Sequence, residues 1–142
     1  MILQALTPSC VPIKLTLPLY SCGVAAGFPS PAEDHVDRGL DLNEHLIQRP
    51  SSTYFARACG DSMQGVGIYN GDLLVIDRSL TAEQGDTVIA SVDGELTCKI
   101  FDINNRQLLA ANPEYPAIPL PDETDLIIEG VVAHAIHHLR RG

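Results

Sequence analysis

The chain has 142 residues, of which 45% are hydrophobic, and a formal net charge of −9. This is enough apolar material for one ordinary hydrophobic core and too little for two. The acidic balance argues against a nucleic-acid-binding surface, which needs clustered basic residues, and favours protein partners. The four cysteines, Cys10, Cys22, Cys59 and Cys98, have neither metal-ligand spacing nor the density of a disulfide scaffold, so we expect reduced thiols in the cytoplasm.

The first 26 residues contain three prolines and scattered apolar residues without a sustained helical or strand period. They predict an extended arm. A secretory signal peptide is the alternative, because the run 24–26 ends in small residues before Gly27. Against it, prolines interrupt the apolar region and the first basic residue is only Lys14. No apolar run reaches the roughly 18 residues of a membrane span, so we expect no membrane anchor.

Beyond the arm, the sequence predicts one short helix and then a β-rich region. The helix is expected around Leu42–Gln48, before Pro50. Asp93-Gly94 favours a two-residue hairpin turn, and Asn104-Asn105 favours a second hairpin. The predicted strands are Thr53–Ala58, Asp72–Asp77, Asp86–Ser91, Glu95–Phe101, Arg106–Ala111 and one or two within Leu126–His138.

The expected fold is therefore mainly β. It is a compact antiparallel assembly of about seven strands, with an extended N-terminal arm and at most one short helix.

Two polar residues of the β-rich region have the types needed for nucleophilic catalysis. Ser62 lies in the glycine-containing turn 58–63, and no histidine between Tyr54 and Glu129 could act as its base. Lys99 is the candidate base, since an amine accepts the serine proton in a serine/lysine dyad. The ordinary pKa of lysine is about 10.4, so burial would have to lower the pKa of Lys99 for the amine to be neutral near pH 7.

Each of these residues also has an ordinary interpretation. A Gly-Asp-Ser sequence often forms only a turn. Lys99 shares one face of its predicted strand with Glu95 and Thr97, where most lysines are solvated. The pair becomes informative only together with the motifs around it.

Six short motifs extend from Gly27 towards the C-terminus. By their order and spacing the chain resembles the LexA/UmuD family of self-cleaving serine/lysine peptidases, and within it the UmuD-like members. This resemblance covers the chain from about Gly27 onwards. The motifs are Gly27-Phe28-Pro29-Ser30-Pro31-Ala32, Asp41-Leu42-Asn43, Gly60-Asp61-Ser62-Met63, Gly71-Asp72-Leu73-Leu74, Gly85-Asp86 and Asp93-Gly94-Glu95-Leu96-Thr97-Cys98-Lys99.

The resemblance implies roles for single residues. Ser62 corresponds to the nucleophile and Lys99 to the general base. Backbone N–H groups of Ser62 and Met63 would stabilise the oxyanion.

The resemblance also implies a cleavage site and a domain boundary. The family cuts itself at an Ala-Gly or Cys-Gly bond, which falls at Ala26-Gly27. Cys22-Gly23 is a second bond of this kind, but the family's Phe-Pro-Ser-Pro sequence follows Ala26-Gly27. Cleavage would separate an arm, residues 1–26, from a peptidase-like β domain, residues 27–142.

At the level of the whole protein, the resemblance implies a DNA-damage (SOS) response protein whose self-cleavage is promoted by RecA filaments on single-stranded DNA. The processed homodimer would be the accessory subunit of an error-prone Y-family translesion DNA polymerase in the cytoplasm. It implies no cofactor, no direct nucleic-acid binding and no membrane association.

Two other functions remain open. A LexA-type repressor needs an N-terminal helix-turn-helix domain, and residues 1–26 are too short to hold one. A binding module with the same fold would not need Ser62, Lys99 and Ala26-Gly27 together. These three features favour the self-cleaving accessory factor.

A metal site is the remaining alternative for the C-terminal region. His134, His137 and His138 have helical ligand spacing, but residues 127–132 before them are strongly β. A strand would scatter the three rings over opposite faces. We therefore expect no metal site there.

Overall fold

The structure is a computed structural model that describes residues 13–20 and 36–140. The chain divides into two compact units, the first ending at His45 and the second beginning at Leu46. The expected boundary after Ala26 lies outside the described residues. Within the described residues, no helix has the length and apolar character needed to cross a membrane.

The first unit contains a two-stranded antiparallel sheet of β1 (Leu17–Tyr20) and β2 (Val36–Leu40). Leu17 lies opposite Leu40. Gly39 permits this close pairing, because a Cβ there would lie 2.1 Å from Cγ2 of Thr16. Every residue of β1 is exposed. Residues 17–20 of the expected arm are thus extended, as predicted, but they pair as a strand, which the sequence analysis missed.

Helix α1 (Leu42–Leu46) is the short helix that the sequence predicted, and it is the one α-helix of the described residues. Asp41 caps it, since its Oδ1 accepts the N–H of Asn43 at 3.0 Å. The helix ends at Leu46, before the expected Gln48, and Arg49, which precedes Pro50, has a non-helical φ of −131°. The carbonyl of Arg49 accepts the N–H of Ser52 at 3.1 Å, which closes a 3₁₀ turn at Pro50–Ser52.

The second unit contains a seven-stranded antiparallel sheet, which confirms the predicted fold class. Its order is β3-β4-β9-β5-β6-β7-β8. The strands are β3 (Thr53–Arg57), β4 (Leu73–Asp77), β5 (Thr87–Val92), β6 (Glu95–Asp102), β7 (Gln107–Leu109), β8 (Ile118–Pro119) and β9 (Leu126–Ile136). The sequence analysis located all of these except β8, and it left open whether the last region holds one strand or two. It forms the single long strand β9.

Hydrophobic packing on both faces of the sheet positions the central strand β5. Val88, Ile89 and Ala90 of β5 are all buried, and they alternate between two core clusters. A strand buried on both faces has little freedom to shift its register. The first cluster comprises Met63, Ile68, Leu74, Ile76 and Ile89, and the second comprises Val88, Ala90, Leu108, Leu120 and Val131.

The hairpin between β5 and β6 has the predicted two-residue turn. Val92 pairs with Glu95, and both central residues have positive φ, 48° at Asp93 and 89° at Gly94. These angles belong to the turn type whose twist matches that of the strands. The turn therefore fixes the register of β6, in which Lys99 lies opposite Val88.

Candidate active site

Ser62 lies in a turn that is fixed at the end of β3. The N–H of Ala58 donates to the carbonyl of Asp72 at 2.8 Å, and the N–H of Gly71 donates back to Ala58 at 2.8 Å. Gly60 follows with a φ of 88°, a conformation that favours glycine, and its N–H donates to Oδ1 of Asn70 at 2.8 Å. The chain therefore leaves the strand along a defined path before it reaches Ser62.

The residue after Ser62 anchors the turn to the core. Met63 is 4% exposed and belongs to the first hydrophobic cluster, whereas Ser62 is half-buried. Burial of the Met63 side chain holds the neighbouring serine at the edge of the core, with one side open to solvent.

Lys99 reaches Ser62 from the middle of β6. Its Nζ lies 3.1 Å from Oγ of Ser62, within hydrogen-bond distance. Nζ also donates to Oγ1 of Thr97 at 3.1 Å and to the carbonyl oxygen of Cys98 at 3.2 Å. The structure thus brings together the two residues that the sequence singled out as nucleophile and base.

The surroundings of Lys99 favour its neutral form. Burial lowers the pKa of Lys99 below its ordinary value of 10.5, and the adjacent Cys98 opposes this only as a thiolate. Burial raises the pKa of Cys98 to about 11, so this thiol is uncharged near neutral pH. Within the ranges that the structure describes, no carboxylate pairs with Lys99. The amine is therefore easier to deprotonate than that of an exposed lysine.

Ser62 and Lys99 both line a cleft of about 340 Å³. Most of its wall is apolar, formed by residues that include Ala56, Ile68 and Leu96. Leu96 is 68% exposed. An apolar groove with one nucleophile and one base suits a segment of extended chain with small side chains.

The two backbone groups expected to stabilise an oxyanion flank the nucleophile. Among the described residues, neither the N–H of Ser62 nor that of Met63 donates a hydrogen bond to another protein group. Two unused donors beside a nucleophilic oxygen are the groups an oxyanion hole requires. The other expected site residues, Ala26 and Gly27, lie outside the described residues.

The sequence analysis missed a second segment that touches the nucleophile turn. The N–H of Ala111 donates to the carbonyl of Ser62 at 2.8 Å, and the Asn112 amide donates to the carbonyl of Asp61 at 3.0 Å. The Asn112-Pro113 sequence is a turn signal, but nothing in it says which distant segment the turn will meet.

The three C-terminal histidines do not gather into a metal site. His134 lies in β9, and His137 and His138 follow the strand. Nδ1 of His137 lies 2.5 Å from the buried carboxylate of Asp72. Across the described part of the chain, no group of three or more metal-ligating side chains comes together.

Burial by itself would raise the pKa of Asp72. Hydrogen bonds from the Tyr69 N–H and from His137 reverse this effect and hold the pKa below its ordinary value. The His137–Asp72 contact is therefore a structural pair just before the start of β4.

Comparison with known proteins identifies the class. Residues 18–133 match the model of the peptidase S24-like family, and the chain belongs to this family. It is a UmuD-like member of the LexA/UmuD group, as the motifs indicated. This membership supports peptidase activity, specifically of the self-cleaving kind.

Three relatives illustrate the similarity. The chain is 45% identical over 139 residues to protein SamA of Salmonella typhimurium strain LT2. The aligned region covers 97% of each of the two chains. It is 44% identical over 123 residues to protein ImpA of Salmonella typhimurium, covering 87% of this chain and 85% of that protein. It is 40% identical over 123 residues to protein MucA of Salmonella typhimurium, covering 85% of this chain and 84% of that protein.

Proposed function

We propose that this protein cleaves its own chain at Ala26-Gly27, with Ser62 as nucleophile and Lys99 as general base. The observation that carries the proposal is the 3.1 Å separation of Lys99 Nζ and Ser62 Oγ. The lowered pKa of Lys99 supports it, because only a neutral amine accepts a proton. Membership of the peptidase S24-like family supports the reaction type.

In this mechanism, neutral Lys99 takes the proton of Ser62 as Oγ attacks the carbonyl carbon of Ala26. The negative charge that develops on the carbonyl oxygen is stabilised by the N–H groups of Ser62 and Met63. Lys99 then gives the proton to the amide nitrogen of Gly27, so the peptide bond breaks and an ester joins Ser62 to Ala26.

The second half of the reaction restores the enzyme. Neutral Lys99 takes a proton from a water molecule, which attacks the ester carbonyl. The ester breaks, Oγ regains a proton from Lys99, and Ala26 leaves as a carboxylic acid that releases its proton to solvent. The products are an arm of residues 1–26 and a peptidase-like domain of residues 27–142.

At the level of the cell, the protein acts in the DNA-damage (SOS) response. RecA filaments on single-stranded DNA promote the cleavage, and the processed homodimer serves as the accessory subunit of an error-prone Y-family translesion DNA polymerase in the cytoplasm. UmuD-like membership supports this role, and the net charge of −9 favours protein partners over direct contact with nucleic acid.

The test is incubation of the purified full-length protein at alkaline pH, followed by mass measurement of the intact chains. Two products with the masses of residues 1–26 and 27–142 are expected, and Ser62→Ala should yield neither. A second incubation with RecA, single-stranded DNA and a nucleotide should speed the same cut near neutral pH. A Ser62→Ala protein that is still cut at this bond would refute the proposed dyad.

A further inference from the structure

One segment, residues 111–115, contacts the nucleophile turn at several points. The N–H of Ala111 donates to the carbonyl of Ser62 at 2.8 Å, and the N–H of Gly65 donates to the carbonyl of Ala111 at 2.7 Å. Ala111 therefore bonds the nucleophile turn through both its N–H and its carbonyl, at two different residues of the turn. It fixes the backbone on the C-terminal side of Ser62.

Gly65 is suited to this contact because it lacks a side chain. A Cβ at this position would lie 2.6 Å from the carbonyl oxygen of Ala111, closer than Cβ atoms are found to approach another heavy atom. The two segments therefore meet backbone to backbone, with no side chain between them.

Two side chains of the same segment hold the N-terminal side of Ser62. Nδ2 of Asn112 donates to the carbonyl of Asp61 at 3.0 Å, while its Oδ1 accepts the N–H of Glu114 at 2.9 Å. The hydroxyl of Tyr115 donates to the carboxylate of Asp61. Both oxygen-bearing groups of the residue before the nucleophile are thus occupied.

The hairpin that carries Lys99 also supplies these contacts. Ile100, next to Lys99, pairs with Leu109 at the end of β7, two residues before Ala111. The β6–β7 hairpin therefore carries the base on β6. The segment that directly follows β7 forms the hydrogen bonds to the turn that contains Ser62. The geometry of the hairpin sets the distance between the base and the nucleophile.

We propose that Asn112 and Tyr115 are positioning residues that hold Ser62 in reach of Lys99, and that self-cleavage depends on them although neither touches the reacting atoms. The inference rests on the proposed function of Ser62 and Lys99. Displacement of a reacting group by about 1 Å can cost on the order of a hundredfold in rate. Losing either contact frees the turn on one side of the nucleophile.

The surroundings of Tyr115 favour the protonated form of its hydroxyl. The hydrogen bond to Asp61 and the charge of that carboxylate raise the pKa of Tyr115 above its ordinary value of 10.0, with smaller effects of burial and of Glu114. The hydroxyl of Tyr115 therefore keeps its proton to a higher pH than an ordinary phenol does.

The test compares first-order rates of self-cleavage of full-length variants at alkaline pH. Tyr115→Phe removes only the hydroxyl, and Asn112→Ala removes the amide. Matched controls delete the same groups elsewhere. Tyr54→Phe removes the hydroxyl that donates to the carbonyl of Glu129 at 3.1 Å, and Gln48→Ala removes an exposed side-chain amide between α1 and β3.

We expect Tyr115→Phe and Asn112→Ala to cleave at least about tenfold more slowly than their controls. The plateau of the rate against pH should fall, while its midpoint stays in place, because neither variant changes a residue that lines the cleft around Lys99. Asp61→Ala should slow cleavage like Tyr115→Phe, and the double variant should be no slower than the slower single variant, since both remove one contact.

Two results would overturn the inference while leaving the proposed function intact. One is wild-type cleavage that Ser62→Ala abolishes, with Tyr115→Phe and Asn112→Ala as fast as their controls. The other is a decrease in cleavage rate no larger than that of control variants with the same loss of thermal stability. The slower cleavage would then result from general destabilisation. If wild-type protein failed to cut itself even with RecA filaments, the proposed function and this inference would both be wrong.

Discussion

Uncharged groups surround the Lys99 amine: the hydroxyls of Ser62 and Thr97 and the carbonyl of Cys98. They solvate the ammonium in place of water, but they do not add the opposite charge that would hold the proton on. A carboxylate at the same distance would raise the pKa of Lys99 and weaken it as a base. Burial therefore lowers the pKa of Lys99, and the uncharged groups around the amine do not oppose this effect.

The two cysteines beside the dyad should differ in reactivity. Cys59 is exposed, whereas Cys98 is half-buried and has a pKa raised by burial to about 11. Because the thiolate is the reactive form, we expect iodoacetamide at pH 8 to modify Cys59 in the native protein well before Cys98. Peptide mapping by mass spectrometry measures both. Equal modification before unfolding would contradict the burial of Cys98.

The serine and the lysine could be found from the sequence because each lies in a motif with characteristic neighbours. The environment of Lys99 could not. Strand alternation predicts a solvated lysine, since it reads only the neighbours along β6, whereas the cleft wall also comes from β3 and the nucleophile turn. The sequence did not predict the contacts of Asn112 and Tyr115 for the same reason. Their partner, Asp61, lies about fifty positions away in the sequence.

At the scale of elements, the hairpin of β6 and β7 depends on the carboxylate of Asp102. Side-chain amides of Gln107, Asn105 and Gln84 donate to it at 2.8, 2.9 and 2.8 Å. These three bonds, the one from Gln107 foremost, lower the pKa of Asp102 to about 2. The carboxylate ties the hairpin loop to the chain before β5.

Replacing Asp102 with asparagine tests this role. The carboxyl has a pKa of 3.8 ordinarily and about 2 in the folded protein, so its ionised form stabilises the fold above pH 3.8. That stabilisation is lost as the pH falls through about 2. We expect Asp102→Asn to lower the thermal midpoint by several degrees at pH 7, with the difference from wild type shrinking towards pH 2.

Asp122→Asn is the matched control for that experiment. Asp122 pairs with Arg106 in an exposed ion pair, which contributes little to stability. Its thermal midpoint at pH 7 should stay close to that of wild type. A difference between Asp102→Asn and wild type that is independent of pH would contradict the electrostatic role of Asp102.

Regular alternation and turn residues identified the long strands of the second unit. They failed for β1, β2 and β8. Alternation needs several residues to be visible, and β8 has only two. The exposed residues of β1 carry no burial pattern, so only their pairing with β2, across a long stretch of sequence, defines the strand.

At the scale of the whole molecule, the proposed homodimer raises the question of which subunit receives each arm. Two inactive chains answer it when mixed. Ser62→Ala keeps a cleavable Ala26-Gly27 bond, whereas Gly27→Lys keeps the dyad but presents a bond that does not fit the cleft. If the arm is delivered between subunits, cut Ser62→Ala chains should accumulate in the mixture, as measured by mass.

The control for mixing is the formation of heterodimers, shown with a tag on one chain. Each variant alone should remain uncut. If heterodimers form and the mixture stays intact where wild type is fully processed, each arm is cut by its own chain.

The most direct test of the dyad is the rate of self-cleavage as a function of pH. Since only neutral Lys99 accepts the serine proton, the rate should rise with pH and reach a plateau, with a midpoint below the ordinary lysine pKa of 10.5. Ser62→Ala should show no cleavage at any pH, because it lacks the nucleophile. Lys99→Arg should show none either, because a guanidinium does not deprotonate. A wild-type rate that is independent of pH, or cleavage by either variant, would contradict the account.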